Sequence, residues 1–228
     1  SINSISAFCE ATGADIQEVA KAIGTDKRIG DKFLSAGPGF GGSCFKKDIL
    51  NLVYLSGYFG LPEVANYWNQ VVVLNTWQQD RIYKIVLEKL FGTVNGKNIA
   101  ILGFSFKANT NDTRESPAIR IASDLLEEGA SLAIYDPKVS FERIQADFEN
   151  FSPNNQGLWK MVNSIPDALQ NVDAVLILTA WDEFYGLDWS HLASLMRSPA
   201  WVFDTRSVVS RKEIENTSLN LWKLGEGS

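Results

Sequence analysis

Asn98-Ile99-Ala100-Ile101-Leu102-Gly103 decides the fold. Its apolar residues run without the alternation of a half-exposed strand, which is how a strand buried on both faces reads. The same kind of run recurs downstream. Leu132-Ala133-Ile134-Tyr135-Asp136-Pro137 is a second strand, Met161-Val162 a short third, and Val172–Leu178 a strong fourth. Trp201-Val202-Phe203-Asp204 follows, and Leu219-Asn220-Leu221-Trp222 closes the set. Between the first two strands, Ser116-Pro117 opens a helix that ends at Gly129, and Asn150–Gly157 reads as a loop. Strands alternating with helices predict an α/β domain over residues 93–228, with a parallel sheet wound on both faces.

Upstream, residues 1–92 read as helical. A first helix stops near Gly13, and Asp15-Ile16-Gln17-Glu18 has the form of a capping box for a second, ending at Gly24. After the loop Gly37–Cys44, a helix should carry Phe45, Ile49, Leu52, Val53 and Ser56 on one side, with Gly57 and Gly60 ending it. Pro62 then suits the first turn of a long helix running to about Leu90. At 1.5 Å per residue it would be roughly 40 Å long, enough to bridge two domains or two subunits. Trp68, Val71, Val72, Leu74 and Trp77 give it more apolar surface than one stripe requires. The chain starts without Met and with helix already under way (Ile2, Ile5, Phe8 and Cys9 on one face), so it reads as beginning inside a larger protein.

The 228 residues carry a net charge of −6 and are 45% hydrophobic. That is an ordinary core-forming composition, and it argues against a broad nucleic-acid face. No apolar run approaches the ~20 residues of a bilayer-spanning helix, so no membrane partner is expected. The two cysteines, Cys9 and Cys44, are too few for a disulfide framework and fit a cytoplasmic protein. His191 is the single histidine, and no zinc-type spacing exists, so no metal site is expected. Cys9 lies on an apolar stripe and reads as core; His191, near a helix start, reads as exposed.

The segment richest in chemistry is Gly39-Phe40-Gly41-Gly42-Ser43-Cys44-Phe45-Lys46-Lys47-Asp48. Glycines let a backbone approach a ligand closely. Cys44 falls at a helix start, where free N–H groups and the helix dipole favour negative sulfur, and Lys46 and Lys47 add to that. Asp48 lies one turn later on the same side. Gly103 is followed by Phe-Ser-Phe rather than Gly-x-x-Gly, so the last domain is Rossmann-like in order without the dinucleotide fingerprint, and suits a mononucleotide better.

Gly39–Asp48 resembles the active-site segment of the UDP-glucose/GDP-mannose dehydrogenase family. Leu102–Lys107, Asn111–Pro117, Tyr135-Asp136-Pro137 and Phe203-Asp204-Thr205-Arg206 resemble its further signatures, in order, and are most similar to the branch acting on UDP-glucose. The resemblance implies a helical central dimerisation domain with a long connecting helix, then a Rossmann-like UDP-binding domain. It implies oxidation of the sugar C6 alcohol to an acid with two NAD molecules. The cysteine matching Cys44 attacks the intermediate aldehyde, and the resulting thioester is cleaved by water. NAD would be held mainly by a front domain outside this chain, so the chain alone is expected to be inactive.

The same resemblance assigns residues. Asp48 matches a carboxylate that positions or activates water, and Lys47 a lysine of electrostatic role. Ser35–Gly41 matches the segment that wraps the nucleotide sugar, although the family commonly carries a lysine where Ser35 stands. Phe33, Phe40, Gly41 and Phe45 join that substrate-facing set. Arg28 matches an arginine that reaches the neighbouring subunit's sugar site. Phe106 and Lys107 match residues on the uridine and phosphates, and Arg206 a further substrate arginine. Arg114 matches a residue that approaches NAD, beside Cys44. The implied partners are UDP-glucose or UDP and further copies of the chain, paired through the central helices. By themselves, Arg114 reads equally as an ion-pair partner of Asp112 or Glu115, Arg28, Lys107 and Arg206 as solvated surface charges, and Phe106 as core. Two alternatives stand beside this: a dehydrogenase for GDP-mannose or a UDP-N-acetylhexosamine, and a non-catalytic nucleotide-sugar-binding or assembly module.

Overall fold

A computed structural model describes residues 1–152 and 157–227. The chain opens with helices α1 (Ile2–Thr12), α2 (Ile16–Gly24), α3 (Phe45–Tyr58) and α4 (Pro62–Lys89). Strand β1 (Asn98–Leu102) then begins an alternation through α5 (Pro117–Glu127), β2 (Ser131–Tyr135), α6 (Phe141–Phe151), β3 (Trp159–Met161) and α7 (Ile165–Leu169). It continues through β4 (Ala174–Ile177), α8 (Trp189–Ala193), β5 (Ala200–Asp204), α9 (Arg211–Ile214) and β6 (Leu219–Lys223).

The strands form one six-stranded sheet in the order β3-β2-β1-β4-β5-β6. Every pairing is parallel; β1 registers Ile101 against Ile134 on one side and against Leu176 on the other. The order reverses between β1 and β4, the switch point where open α/β sheets take ligands beyond their carboxyl ends. Each of Ile99, Ala100, Ile101 and Leu102 is fully buried, because both faces are covered. Ile99 and Ile101 join a core with α5 and α6, while Ala100 and Leu102 join a second core with α7, α8 and α9.

The first core reaches back into the helices. Cys9, Ile16, Ile82, Val86 and Leu90 pack in it beside Ile99 and Ile101, so hydrophobic packing crosses residue 92. Helix α4 has 28 residues, and its buried ones, Gln78, Ile82 and Val86, recur every fourth position near its end. Helix α4 also packs along α3 and against α5. No helix among the described residues is long and apolar enough to cross a membrane.

Local chemistry sets the boundaries. Pro62 and Pro117 sit at helix starts, where a missing N–H costs nothing. The Asp15 side chain caps α2 by accepting from Gln17 N at 2.7 Å, a simple cap rather than a reciprocal box. Helix α3 buries Ile49 and Ser56, but leaves Phe45 and Leu52 exposed. Helix α6 runs through Phe151, so Asn150 and Phe151 are helical rather than loop; Ser140 caps it and Phe148 anchors it in the core. The rest of the expected loop falls largely on residues 153–156, outside the described residues.

Candidate active site

The glycine loop lies between α4 and the carboxyl end of the sheet, and both sides grip its backbone. From α4, Asn75 Oδ1 accepts from Phe40 N at 2.8 Å, while Asn75 Nδ2 donates to Phe40 O at 3.1 Å. Gln78, fully buried, donates to Gly37 O at 2.9 Å, and Asn3 of α1 accepts from Gly37 N at 2.9 Å. From the sheet domain, Arg114 O accepts from Gly42 N at 2.7 Å. A Cβ on Gly41 would stand 2.5 Å from Glu115 O and 2.8 Å from Phe106 Cβ. The Phe106 ring lies flush against Gly42. At the other end of the loop, a Cβ on Gly37 would stand 2.7 Å from an Arg206 guanidinium nitrogen.

Cys44 stands at the N-cap position of α3, its side chain exposed and making no capping hydrogen bond. Ser43 Oγ lies 3.6 Å from its sulfur. Asp48 N closes the first turn by donating to Cys44 O at 2.8 Å, which stacks Asp48 above Cys44 along the helix. Asp48 and Lys47 are both exposed. Lys46 does not reach the sulfur; it pairs with Glu115 at 2.7 Å and ties α3 to the sheet domain. Phe40 and Phe45 meet edge to face with centroids 4.6 Å apart, locking loop to helix start.

Arg206 follows β5 and sits under Gly37. Its Nε donates to Leu178 O at 2.8 Å, and burial pushes its guanidinium down to about 10, although Tyr185 and Asp204 oppose the shift. No carboxylate among the described residues forms an ion pair with it. An arginine at that value is still fully charged at neutral pH, so a half-buried cation without a carboxylate partner stands at the sheet's carboxyl end. Arg114 takes the local pair that its spacing allowed, forking onto Asp112 at 3.0 and 2.7 Å. That pairing raises Arg114 and lowers Asp112, and the negative form of nearby Cys44 adds to the Arg114 shift. Lys107 is exposed, its ammonium 5.4 Å from the Phe106 ring centroid.

The structure thus brings together Phe40, Gly41, Cys44, Phe45, Phe106, Arg114 and Arg206 around one loop. Others lie at the surface. Arg28 pairs with Asp26 at 2.6 Å on an exposed turn, Phe33 is 94% exposed, and Ser35 is exposed. Beside the loop a cleft of about 260 Å³ opens between α4, α5 and α6, lined in part by Lys46, Asn75, Gln79, Glu115 and Arg120. Sequence reasoning missed Asn75, Gln78 and Glu115. Asn75, Gln78 and Gln79 are amides at i, i+3 and i+4 directly after the apolar run Val71–Leu74, and that spacing was the signal.

The model for the central domain of the UDP-glucose/GDP-mannose dehydrogenase family matches residues 1–77, and that for its UDP binding domain matches residues 100–211. The chain belongs to this family. It is 48% identical to the UDP-glucose 6-dehydrogenase of Drosophila melanogaster, over 99% of this chain and 48% of that protein. It is 52% identical to that of Gallus gallus over 92% of this chain and 43% of that protein. A UDP-glucose dehydrogenase structure from Pyrobaculum islandicum superposes with a TM-score of 0.78 at 30% identity, covering 100% of this chain and 47% of that one. The chain spans about half the length of the curated relatives it matches. Membership of the UDP-glucose/GDP-mannose dehydrogenase family explains why both gripped elements, the cysteine loop and the sheet's carboxyl end, lie within matched segments.

Proposed function

We propose that this chain serves the NAD-dependent oxidation of UDP-glucose to UDP-glucuronate in the cytoplasm. The observation that carries the reading is the clamp. A loop bearing an exposed cysteine is pressed onto the carboxyl end of a Rossmann-order sheet, with the unpaired, half-buried charge of Arg206 beneath it. Such a cation suits a diphosphate. Phe106 and Lys107 stand beside the loop as a ring for the base and a second charge for the phosphates. Phe40, Gly41 and Phe45 would face the sugar, with Ser35 and Phe33 at the entrance. Arg28 would serve a neighbouring copy.

Cys44 Sγ adds to the C6 aldehyde carbon as the carbonyl π bond opens and the thiol proton passes to the oxygen; loss of a hydride from that carbon and of the hydroxyl proton then leaves a thioester. Water attacks that carbon, the carbon–sulfur bond breaks, and the acid leaves with the thiol restored. Asp48, one turn above Cys44, accepts a proton from that water, and Lys47 offsets the negative charge that develops. NAD, where bound, would supply the two-electron oxidant for each of the two oxidations. Arg114, with its side chain 59% exposed and close enough to feel Cys44, is a fitting cation for that cofactor's phosphates. The apolar residues that α3 and α4 leave exposed, among them Tyr58, Tyr67, Val73 and Trp77, favour a homodimer through these helices.

Calorimetric titration tests the reading, with UDP-glucose as ligand and GDP-mannose as control. Saturable binding of the uridine ligand alone is expected, weakened at least tenfold by Arg206→Gln. Binding that ignores Arg206→Gln, or that favours the guanosine ligand, overturns it.

A further inference from the structure

We infer that Asn75 is a positioning residue for Cys44, an inference that rests on the reading of Cys44 as the nucleophile. Its amide meets Phe40 as a neighbouring strand would, accepting from N and donating to O at 2.8 and 3.1 Å. At neutral pH an amide offers both functions in that spacing, where a carboxylate only accepts. Gly39 makes room for it: the backbone there has φ +132, and a Cβ would stand 2.8 Å from Asn75 Oδ1 and 3.2 Å from Gln79 Nε2. One turn further along α4, Gln78 takes Gly37 O, and Gln78 Oε1 in turn accepts from Arg81 Nε at 3.2 Å. Arg81 is fixed by Glu10 at 2.7 Å. The α4 amides therefore hold the loop backbone at residues 37 to 40 from a rigid, anchored helix.

The hold is passed on through Phe40. Its ring sits 4.6 Å from the Phe45 ring at 81°, and Phe45 directly follows Cys44 at the head of α3. Phe40 and Cys44 are otherwise joined by Gly41, Gly42 and Ser43, a stretch too permissive to fix an angle by itself. Asn75 thus decides where the loop's aromatic anchor lies, and the anchor decides where the sulfur and the sugar-facing Gly41 lie. Asn75 also lines the cleft beside α5, whereas Arg206 meets the loop at Gly37. Asn75 acts on the site through the loop, without being a ligand contact.

Asn75→Leu keeps the size and removes both hydrogen bonds, whereas Asn75→Asp keeps the acceptor and sets a second oxygen against Phe40 O. UDP-glucose affinity at pH 7.5 should fall about tenfold in the Leu variant, the loss expected for two backbone hydrogen bonds. In the Asp variant affinity should recover toward wild type as the pH falls from about 8 to about 5, because a protonated carboxyl again donates and accepts. The Leu variant should keep a constant ratio to wild type across that range. Hydrogen exchange should quicken across residues 39–44, while Cys9, 1% exposed, stays closed to alkylation and so reports an intact fold. Unchanged exchange in the loop, or an Asp variant whose affinity tracks wild type at every pH, overturns the inference. If wild type itself fails to bind UDP-glucose, the functional reading fails, and loop exchange alone still judges whether Asn75 holds the loop.

Discussion

Gly41→Ala is a single added methyl group at the point where the cysteine loop touches the sheet domain. The backbone there needs no left-handed conformation, so the effect is one of space alone. The new Cβ would lie 2.5 Å from Glu115 O and 2.8 Å from Phe106 Cβ, far inside ordinary contact. Neither neighbour yields easily. Glu115 already sits at φ 54, where a side chain is strained, and the next residue, Ser116, caps α5. The loop must therefore lift, which breaks the bond from Gly42 N to Arg114 O. Overpacking costs about 1–3 kcal/mol, so about 2 kcal/mol is expected, or roughly 6 °C in Tm for a chain of this size. Gly57→Ala is the matched control. Gly57 is helical and has nothing within 4 Å of a new Cβ. That variant should gain about 0.5–1 kcal/mol and melt slightly higher. Thermal melts followed by circular dichroism, with UDP-glucose titration at 25 °C, measure both. If Gly41→Ala melts with wild type and binds UDP-glucose as well, the loop is not clamped to Glu115 and the site is wrongly built.

Asp124, half-buried against α4, has its carboxyl raised to about 6 by burial, with Asp80 and Glu127 adding and Arg120 opposing. Its folded value lies above the unfolded one of about 3.9, so its contribution to stability is full below about pH 4 and is lost as pH rises through 6. Asp124→Asn should therefore stabilise at pH 7.5 by about 1–2 kcal/mol after allowing for solvent screening, and the gain should vanish at pH 4 in urea unfolding. Iodoacetamide should label Cys44 in the native protein and leave Cys9 untouched until urea is added; equal labelling under native conditions would contradict their burial. Val73→Glu places a charge on the exposed face of α4 and should shift sedimentation from dimer to monomer, while an unchanged mass would place the contact elsewhere.

The sheet was legible because burial on both faces removes the ambiguity of a strand: Ile99 to Leu102 can be apolar throughout only if helices cover both sides. The start of α5 was legible from Ser116-Pro117, a cap and a first-turn proline in one dipeptide. Helix α6 was not, since Asp147, Glu149 and Asn150 dilute its apolar stripe to Ile144 and Phe148. In the site, the glycines announced a close approach but not its partner. Gly39 admits Asn75, and Gly41 admits Glu115 and Phe106, partners distant in sequence that only tertiary packing selects. Arg114 shows the opposite limit, because spacing alone offered Asp112 as a partner and the fold took it.

The same reasoning explains why a sheet in Rossmann order need not hold a dinucleotide at its first turn. In that arrangement backbone N–H groups after the first strand cradle a pyrophosphate. Here those of Phe104 and Ser105 donate to Asp136 Oδ2 at 2.7 and 3.0 Å, and the indole of Trp181 donates to the same oxygen at 3.2 Å. The other carboxylate oxygen accepts from Lys138 N and Val139 N at 2.9 and 3.0 Å. The chain thus supplies its own anion from the end of β2 and spends the cradle on it. Gly103 seals the arrangement: at φ +88, a Cβ there would lie 2.4 Å from Thr179 Cβ, so the turn is packed shut against the end of β4. With this turn filled, the proposed UDP-sugar site lies outside it. There Phe106, Lys107 and the unpaired Arg206 stand, on the side where the cysteine loop is held. Asp136 thus occupies the backbone N–H groups that a pyrophosphate would otherwise take.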